Sequence, residues 1–434
     1  MIKKGTIYTQ LTQENRVNQR VNEMRGWVEN GQRWLRWGLP RWGVLLVVLL
    51  LSGVLSGCSL PQVKAEDRLF LPLSLDFLGT YQLPKLDFQE TRVGGLSGLT
   101  YDRQRDRFYA ISDDRSHFAP ARFYTLKLAL NPVGESAETN LVDSSPATTI
   151  ANGIRSVEIE QVTILKGETG EPFAASTVDL EGIALSPRQS LFISSEGDSS
   201  QGSAPFIDEF DLATGNWRGR LPIPTRYLPR MEEGQASGIQ TNQGFESLTL
   251  NAGSYGNTQL EPFRLFAATE SALAQDINPA PDTPTPIRLL HYLIGEDQSL
   301  ILDEHLYLVD PASEGIENQG LSDLLVLDQG GHLLGLERSF GITGFGGKLY
   351  QLVMGGATDI TVIPNLSGGT DGITPIYKRL LLDLSDLQIP LDNFEGMTLG
   401  PQLSDGSQSL ILISDDNFNE LQTTELLLFR LRQK

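Results

Sequence analysis

Cysteine occurs once in this chain of 434 residues, at Cys58. No internal disulfide can therefore staple the fold. Histidine is nearly as scarce. His117, His291, His305 and His332 are scattered along the sequence, form no His-x-x-x-His pair and have no thiol ligands beside them, which argues against a zinc site. The Gly-x-Ser-x-Gly elbow of the α/β-hydrolases is missing, because Gly95-Leu96-Ser97-Gly98-Leu99 breaks at the last glycine. Gly341–Lys348 has glycines and a lysine, but lacks the spacing and the final Ser/Thr of a phosphate-binding loop. It reads as a loop between strands. No segment of the mature chain has the sustained 3.6-residue periodicity of a long helix. Basic charge is also in deficit. The formal net charge is −20, and residues 1–57 hold eight Lys/Arg against three Asp/Glu, so the remainder carries a net of −25. Such a surface repels nucleic acid and anionic lipid.

The single cysteine has a telling setting. Val44–Leu55 is an apolar run too short for a comfortable transmembrane span and of the length of a signal-peptide core. Arg33, Arg36 and Arg41 precede it, and Leu55-Ser56-Gly57-Cys58 closes it. This resembles a bacterial lipobox, in which the cysteine is lipidated and becomes the mature N-terminus. A plain signal peptide or an uncleaved anchor are the alternatives. The expectation is a signal peptide over 1–57, lipid on Cys58, a tether over 58–75 with Pro61 and Pro72, and a location in the cell envelope. Ser59 in place of an aspartate favours the outer membrane face. Because the basic region is long, Met24 is an alternative start.

What the sequence has in abundance is a repeat. A turn bearing Gly or an acid runs into a short strand, and a second strand ending in a carboxylate follows. The five copies are Gly95–Thr100 with Tyr109–Asp114, Asp179–Ala184 with Phe192–Glu196, Gly244–Thr249 with Phe266–Glu270, Gly320–Leu325 with Leu334–Glu337, and Asn393–Thr398 with Leu412–Asp416. Repeats at this spacing indicate a propeller or solenoid. In the second copy, Phe206–Leu212 alternates with period two, Ala213–Asn216 is a hairpin turn, and Trp217–Leu221 starts a fourth strand. Four antiparallel strands per repeat make a propeller blade. Third strands recur at Arg122–Leu128, Ile287–Leu293, Lys348–Val353 and Glu425–Leu431. The last copy runs out of chain there, so Leu75–Leu83 is expected to pair with Glu425–Leu431 and close the ring. The fold class is thus all-β, one propeller over 76–434, with five copies counted and a sixth, degenerate blade as the alternative. Glu135–Thr149 and the Pro-rich Ala274–Pro286 read as exposed loops.

First strands of a propeller line its channel. The aligned first-strand residues are Ser97, Glu181, Glu246, Ser322 and Glu395, and the aligned second-strand ends are Asp114, Glu196, Glu270, Glu337 and Asp416. Eight carboxylates converging on one mouth would raise each other's pKa. Hard cations with oxygen ligands relieve this, and Ca²⁺ accepts six to eight. Glu181, Glu246 and Glu395 are the metal candidates, with Asp114, Glu196 and Asp416 as bases or further ligands. Arg115 and Arg338 are placed to hold a phosphate, with Arg92, Arg226 and Arg230 in nearby loops and His117 a candidate to assist a leaving group. Blade-locking hydrogen bonds for the acids and salt bridges for the arginines are the structural alternatives.

At Gly94–Asp102, Phe108–Arg115, Asp179–Ala184, Leu334–Phe340, Asn393–Thr398 and Leu412–Phe418 the chain resembles the bacterial phytase-like domain proteins described as having esterase-like activity of phytase. The resemblance covers roughly Leu78 to Leu431. In the third copy Gly244-Phe245-Glu246-Ser247-Leu248 keeps the acid and replaces the commoner glycine. The resemblance implies a secreted or surface-tethered propeller that hydrolyses phosphoesters or other esters. The leading expectation is a monomeric, cation-dependent phosphoester hydrolase acting on a small phosphorylated or ester substrate, with no nucleic acid partner and a membrane contact through the lipid alone. A non-catalytic binding or scaffold propeller and a calcium-dependent lactonase or carboxylesterase stand beside it.

Overall fold

A computed structural model describes residues 68–133, 153–198, 202–232, 234–251, 261–278, 280, 282–327 and 330–433. Cys58, the signal peptide, most of the tether and the Glu135–Thr149 insertion lie outside them. Glu66–Lys434 forms one compact unit.

Five four-stranded antiparallel sheets make five blades. Blade 1 comprises Leu96–Asp102, Arg107–Ser112, Arg122–Leu130 and Ile154–Ile164 from the axis outward. Blade 2 comprises Leu180–Leu185, Ser190–Ser195, Phe206–Asp211 and Trp217–Arg220. Blade 3 comprises Phe245–Asn251, Phe263–Thr269, Thr285–Ile294 and Ser299–Val309. Blade 4 comprises Ile316–Val326, His332–Gly341, Gly344–Val353 and Tyr377–Asp383. Blade 5 takes Asn393–Gln402, Gln408–Asp415 and Glu425–Gln433 from the C-terminus, and its outer strand, Leu73–Gln82, from the N-terminal end of the propeller. That closing strand pairs Leu75 with Leu431 and Gln82 with Glu425, so the ring has no open end at its seam. It begins at Leu73, which assigns residues 73–75 to the blade rather than the tether. Among the described residues no helix is long and apolar enough to cross a membrane.

The strands alternate, and each blade buries both faces against its neighbours. Five apolar clusters result, one per blade boundary. Leu96, Tyr124, Ile411 and Leu426 join blades 1 and 5, and Ile111, Phe123, Ile183 and Phe210 join blades 1 and 2. Phe192, Phe245 and Tyr292, Leu289, Tyr307 and Leu352, and Leu336, Phe394 and Phe429 fill the other three. Near the axis the innermost strands approach closely. A side-chain carbon on Gly98 would sit 2.5 Å from the Glu181 carbonyl oxygen, and one on Gly182 would sit 2.6 Å from that of Glu246. This is why glycine follows the first-strand ring position in blades 1, 2 and 5, while Ser247 and Asp323 stand there in blades 3 and 4.

Two loop assignments change. Gly341–Lys348 is mostly strand, with Ile342 and Thr343 alone forming the hairpin tip, because Gly344–Lys348 pairs back onto the neighbouring strand His332–Gly341. Ala274–Asp276 is a 3-10 turn whose Asp276 is buried, held by Arg288 at 2.5 Å. The segment 354–376 covers the outer edge of blade 3 through Ile360 N–H to Glu304 O and Ile376 N–H to Leu306 O, each 2.8 Å.

Candidate functional site

The site is built on a backbone irregularity that recurs in every blade. Pairing between the two inner strands slips by one residue between Leu96 and Gly98, Phe245 and Ser247, Leu321 and Asp323, and Phe394 and Gly396. In blade 2 the slip falls between Leu180 and Ile183. Each slip is a β-bulge, which re-aims a side chain. The bulged residues are Ser97, Glu181, Glu246, Ser322 and Glu395, so the first-strand ring is as expected.

The second-strand ring follows a different register. The residue facing the turn before each bulge is Asp113 opposite Gly95, Glu196 opposite Asp179, Glu270 opposite Gly244, Arg338 opposite Gly320, and Asp415 opposite Asn393. Blades 2 and 3 match the expectation, but blades 1, 4 and 5 are displaced by one. Adjacent strand residues point to opposite faces, and the acids one place away have other work. Asp114 accepts from Phe118 N–H at 2.7 Å and Ala119 N–H at 2.9 Å and pairs with the fully buried Arg122. Asp416 accepts from Gly95 N–H at 2.9 Å and Phe418 N–H at 3.1 Å. Glu337 is held by Lys378 at 2.9 Å and by the Tyr307 hydroxyl. These three are structural acceptors; Asp113, Arg338 and Asp415 stand in their place at the mouth, and Asp179 joins from the turn before the blade 2 bulge. Eight carboxylates do gather there: Asp113, Asp179, Glu181, Glu196, Glu246, Glu270, Glu395 and Asp415.

Two arginines divide this charge. Arg338, contributed by blade 4 where the other blades supply an acid, lies 2.8 Å from Glu270 and 3.4 Å from Glu395. Burial alone would lower its pKa, but Glu395 and Glu270 raise it and keep it charged. Asn393 Nδ2 donates to Glu395 at 2.8 Å. Arg115, partly exposed, donates through Nε to Asp179 at 2.6 Å and also reaches Asn242. The remaining acids are pushed up. Burial, then Glu246 and Asp179, raises Glu181 well above the carboxylate range. Burial, then Asp179, does the same for Glu196 despite the Gly244 N–H it accepts. Burial, then Glu395 and Asp179, raises Asp113. Glu395 itself is raised to about 7, mainly by burial and against the pull of Arg338.

Ligand atoms of Asp179, Glu181 and Glu196 all lie within 4.8 Å of one another. Glu181 alone of the expected metal trio belongs to this group; Glu246 stands beside it and Glu395 is engaged by Arg338. The converging atoms are hard oxygens of the kind Ca²⁺ takes. Asp113 Oδ1 is buried and has no hydrogen-bond partner. Converging carboxylates and an orphaned oxygen are what a site for a hard divalent cation requires, so the residues present fit such an ion.

The remaining candidates lie elsewhere. Arg226 binds Glu304 at 3.0 Å and the Thr361 carbonyl at 2.7 Å, and Arg230 reaches Ser237 Oγ at 3.2 Å. His117 Nε2 lies 2.8 Å from Ser176 Oγ, at the rim. His291 and His305 are not isolated. Asp303 Oδ1 lies 2.9 Å from His291 Nδ1 and 3.1 Å from His305 Nε2, on the outer side of blade 3.

A family model for phytase-like proteins, described as esterase-like activity of phytase, matches residues 91–418. The chain belongs to this phytase-like family. The match spans blades 1 to 4, the two inner strands of blade 5 and every ring residue, and membership supports a hydrolase reading at a coarse level. Comparison with curated proteins gave no match. Among solved structures, the catalytic domain of a Coprinopsis cinerea GH62 α-L-arabinofuranosidase is similar over 83% of this chain and 98% of its own, at 9% identity and a TM-score of 0.34. The Bombyx mori GH32 β-fructofuranosidase BmSUC1 is similar over 78% of this chain and 60% of its own, at 11% identity and a TM-score of 0.35. The N-terminal domain of Nup159 is similar over 83% and 96%, at 10% identity and a TM-score of 0.27.

Proposed function

We propose that the channel mouth of this phytase-like propeller is the active site of a divalent-cation-dependent phosphoester hydrolase, with Ca²⁺ the ion its chemistry suits. The observation that carries this reading is the convergence of Asp179, Glu181 and Glu196 to within 4.8 Å, beside a partly exposed arginine. Those three side chains would hold the ion. When bound, such an ion offsets charge on a phosphate and lowers the pKa of a coordinated water. Arg115, held by Asp179 through Nε and Nη2, is positioned to reach a phosphate oxygen with Nη1. Asp113 has an unpartnered oxygen and a pKa raised by burial and by its acidic neighbours, the properties of a group suited to exchange a proton with a substrate or water. Glu246 and the Arg338–Glu270–Glu395 group keep the far side of the ring fixed.

The test is hydrolysis of a generic phosphomonoester against a generic carboxyl ester, each with calcium and with EGTA. Calcium-dependent release of phosphate supports the reading. Turnover of the carboxyl ester alone moves the assignment to an esterase or lactonase. Silence on both makes the propeller a binding module whose acids lock its blades, as Asp114 and Asp416 do. We also propose attachment to the outside of a membrane through lipid on Cys58. Cys58→Ala should release the protein or leave its precursor uncleaved, and unchanged fractionation and migration would reject the anchor.

A further inference from the structure

The rim of the mouth carries an apolar platform with no role in the chemistry above. Phe118, 57% exposed, follows the second strand of blade 1. Phe418 follows the second strand of blade 5. Their rings are 4.8 Å apart, and the Arg92 guanidinium lies 5.5 Å from one centroid and 6.0 Å from the other. The platform adjoins the ring directly. A side-chain carbon on Gly95 would meet both Asp113 Oδ1 and the Phe418 ring within 2.5 Å, so the aromatic edge and the unpartnered carboxylate oxygen border one small volume. The backbone is held to put them there. Arg115 and Ser116 in one loop, and Asn417 and Phe418 in the other, all have φ between +47° and +58°, a conformation costly for residues with a side chain and concentrated at functional sites. The apolar rim continues with Leu421, 92% exposed in the Phe418 loop, and with Ile342, 80% exposed at the hairpin tip of blade 4.

The cations around the mouth are already engaged. Arg92 is with Glu420 at 2.9 Å, Arg115 with Asp179, Arg122 with Asp114, and Arg338 with Glu270 and Glu395. A polyanion such as a fully phosphorylated inositol would need several unengaged cations in addition to a bound ion. None of these four arginines is one, and the ring is acidic. A ligand with a single charged headgroup and an apolar body matches both parts: headgroup to the ring, body on the phenylalanines.

Resting on the hydrolase reading for its headgroup, we propose that the substrate is an ester with one charged headgroup bearing an aromatic or comparably apolar group, and that Phe118 and Phe418 select it. The test measures binding of phenyl phosphate, methyl phosphate and inositol hexakisphosphate to the calcium-loaded protein by calorimetry, with hydrolysis followed in parallel. Phenyl phosphate should bind at least about tenfold tighter than methyl phosphate, the scale of burying one ring. The double variant F118A/F418A should lose that preference while its affinity for methyl phosphate stays put. Equal binding of the two monoesters, a preference that survives the double variant, or tightest binding of the hexakisphosphate would overturn the platform. Platform-dependent binding without turnover keeps the platform and removes the reaction. Turnover of both monoesters with equal efficiency keeps the reaction and removes the platform. Failure of all three probes to bind removes both.

Discussion

Arg338 Nη2 lies 2.8 Å from Glu270 Oε1 across the boundary between blades 4 and 3, and its Nε faces Glu395 of blade 5 at 3.4 Å. One guanidinium thereby ties three blades at the axis. Arg338→Met should strand two buried carboxylates and destabilise the calcium-free protein by about 3–5 kcal/mol. Chemical denaturation reads this directly. A change below about 1 kcal/mol would mean that the pair is dispensable.

Stability should fall as pH rises in the absence of cation. Glu395 has a folded pKa raised to about 7 from 4.5. Below pH 4.5 it is protonated in both states and contributes nothing. Between 4.5 and 7 the unfolded chain releases the proton while the fold retains it, so stability drops by up to roughly 1.4 kcal/mol per pH unit for that one group. The other ring acids, raised in the same direction, add to the slope. Melting in EGTA at pH 5 and pH 7.5 should show the higher Tm at pH 5, and calcium should raise Tm more at pH 7.5. A Tm indifferent to calcium at both values would rule out a stabilising ion.

Asp113 and Asp114 are neighbours with opposite assignments. Asp113→Asn removes a like charge from the ring. It should leave stability unchanged or higher while weakening calcium binding and turnover. Asp114→Asn leaves Arg122 buried beside a neutral amide, and should cost about 3–5 kcal/mol with calcium affinity retained in whatever folds. Parallel denaturation and calcium titration separate the two. Reversed outcomes would restore the acid at the strand's last doublet position to the mouth.

Glycine after the bulge of blade 2 is demanded by the next blade. Gly182→Ala would place a carbon 2.6 Å from the Glu246 carbonyl oxygen, and should cost about 1–3 kcal/mol and loosen the ring. Gly170, which has no neighbour within 4 Å but a φ of +82°, provides a control for backbone strain alone: its alanine variant carries no clash. Equal losses at both would make backbone conformation, rather than blade spacing, the cause.

The blades were legible because hydrophobic alternation and the turn–strand–strand repeat survive in every copy, and the seam because the last copy lacks an outer strand while Phe77–Leu83 has no partner of its own. The first-strand ring was legible because Glu181, Glu246 and Glu395 sit at one aligned position. The second-strand ring was legible only to within one residue. Asp113–Asp114 and Asp415–Asp416 are acid doublets, and pairing alone decides which member faces the axis. The bulge that decides it is a tertiary accommodation with a weak sequence mark, a small residue after it in four of the five copies. Asp179 stood in the motif as a turn residue, and its role appears only once Arg115 of the preceding blade reaches it. The meeting of His291 and His305 on Asp303 depends on the cross-strand register of blade 3, where His291 lies opposite Asp303, and four scattered histidines gave no hint of it.

The seam in blade 5 sets an order of events. Leu73 pairs with Gln433, so the first-made strand of the propeller completes its sheet with the propeller's last-made strand. Until then both partners expose unpaired edges, and the outer faces of blades 1 and 4 lack a neighbour. Closure over so long a separation makes folding slow and vulnerable to association between chains. A chain cut short by even one strand cannot finish the circle. Closure therefore waits until both ends are present in one compartment, and the chain must be kept apart from its own copies until they meet.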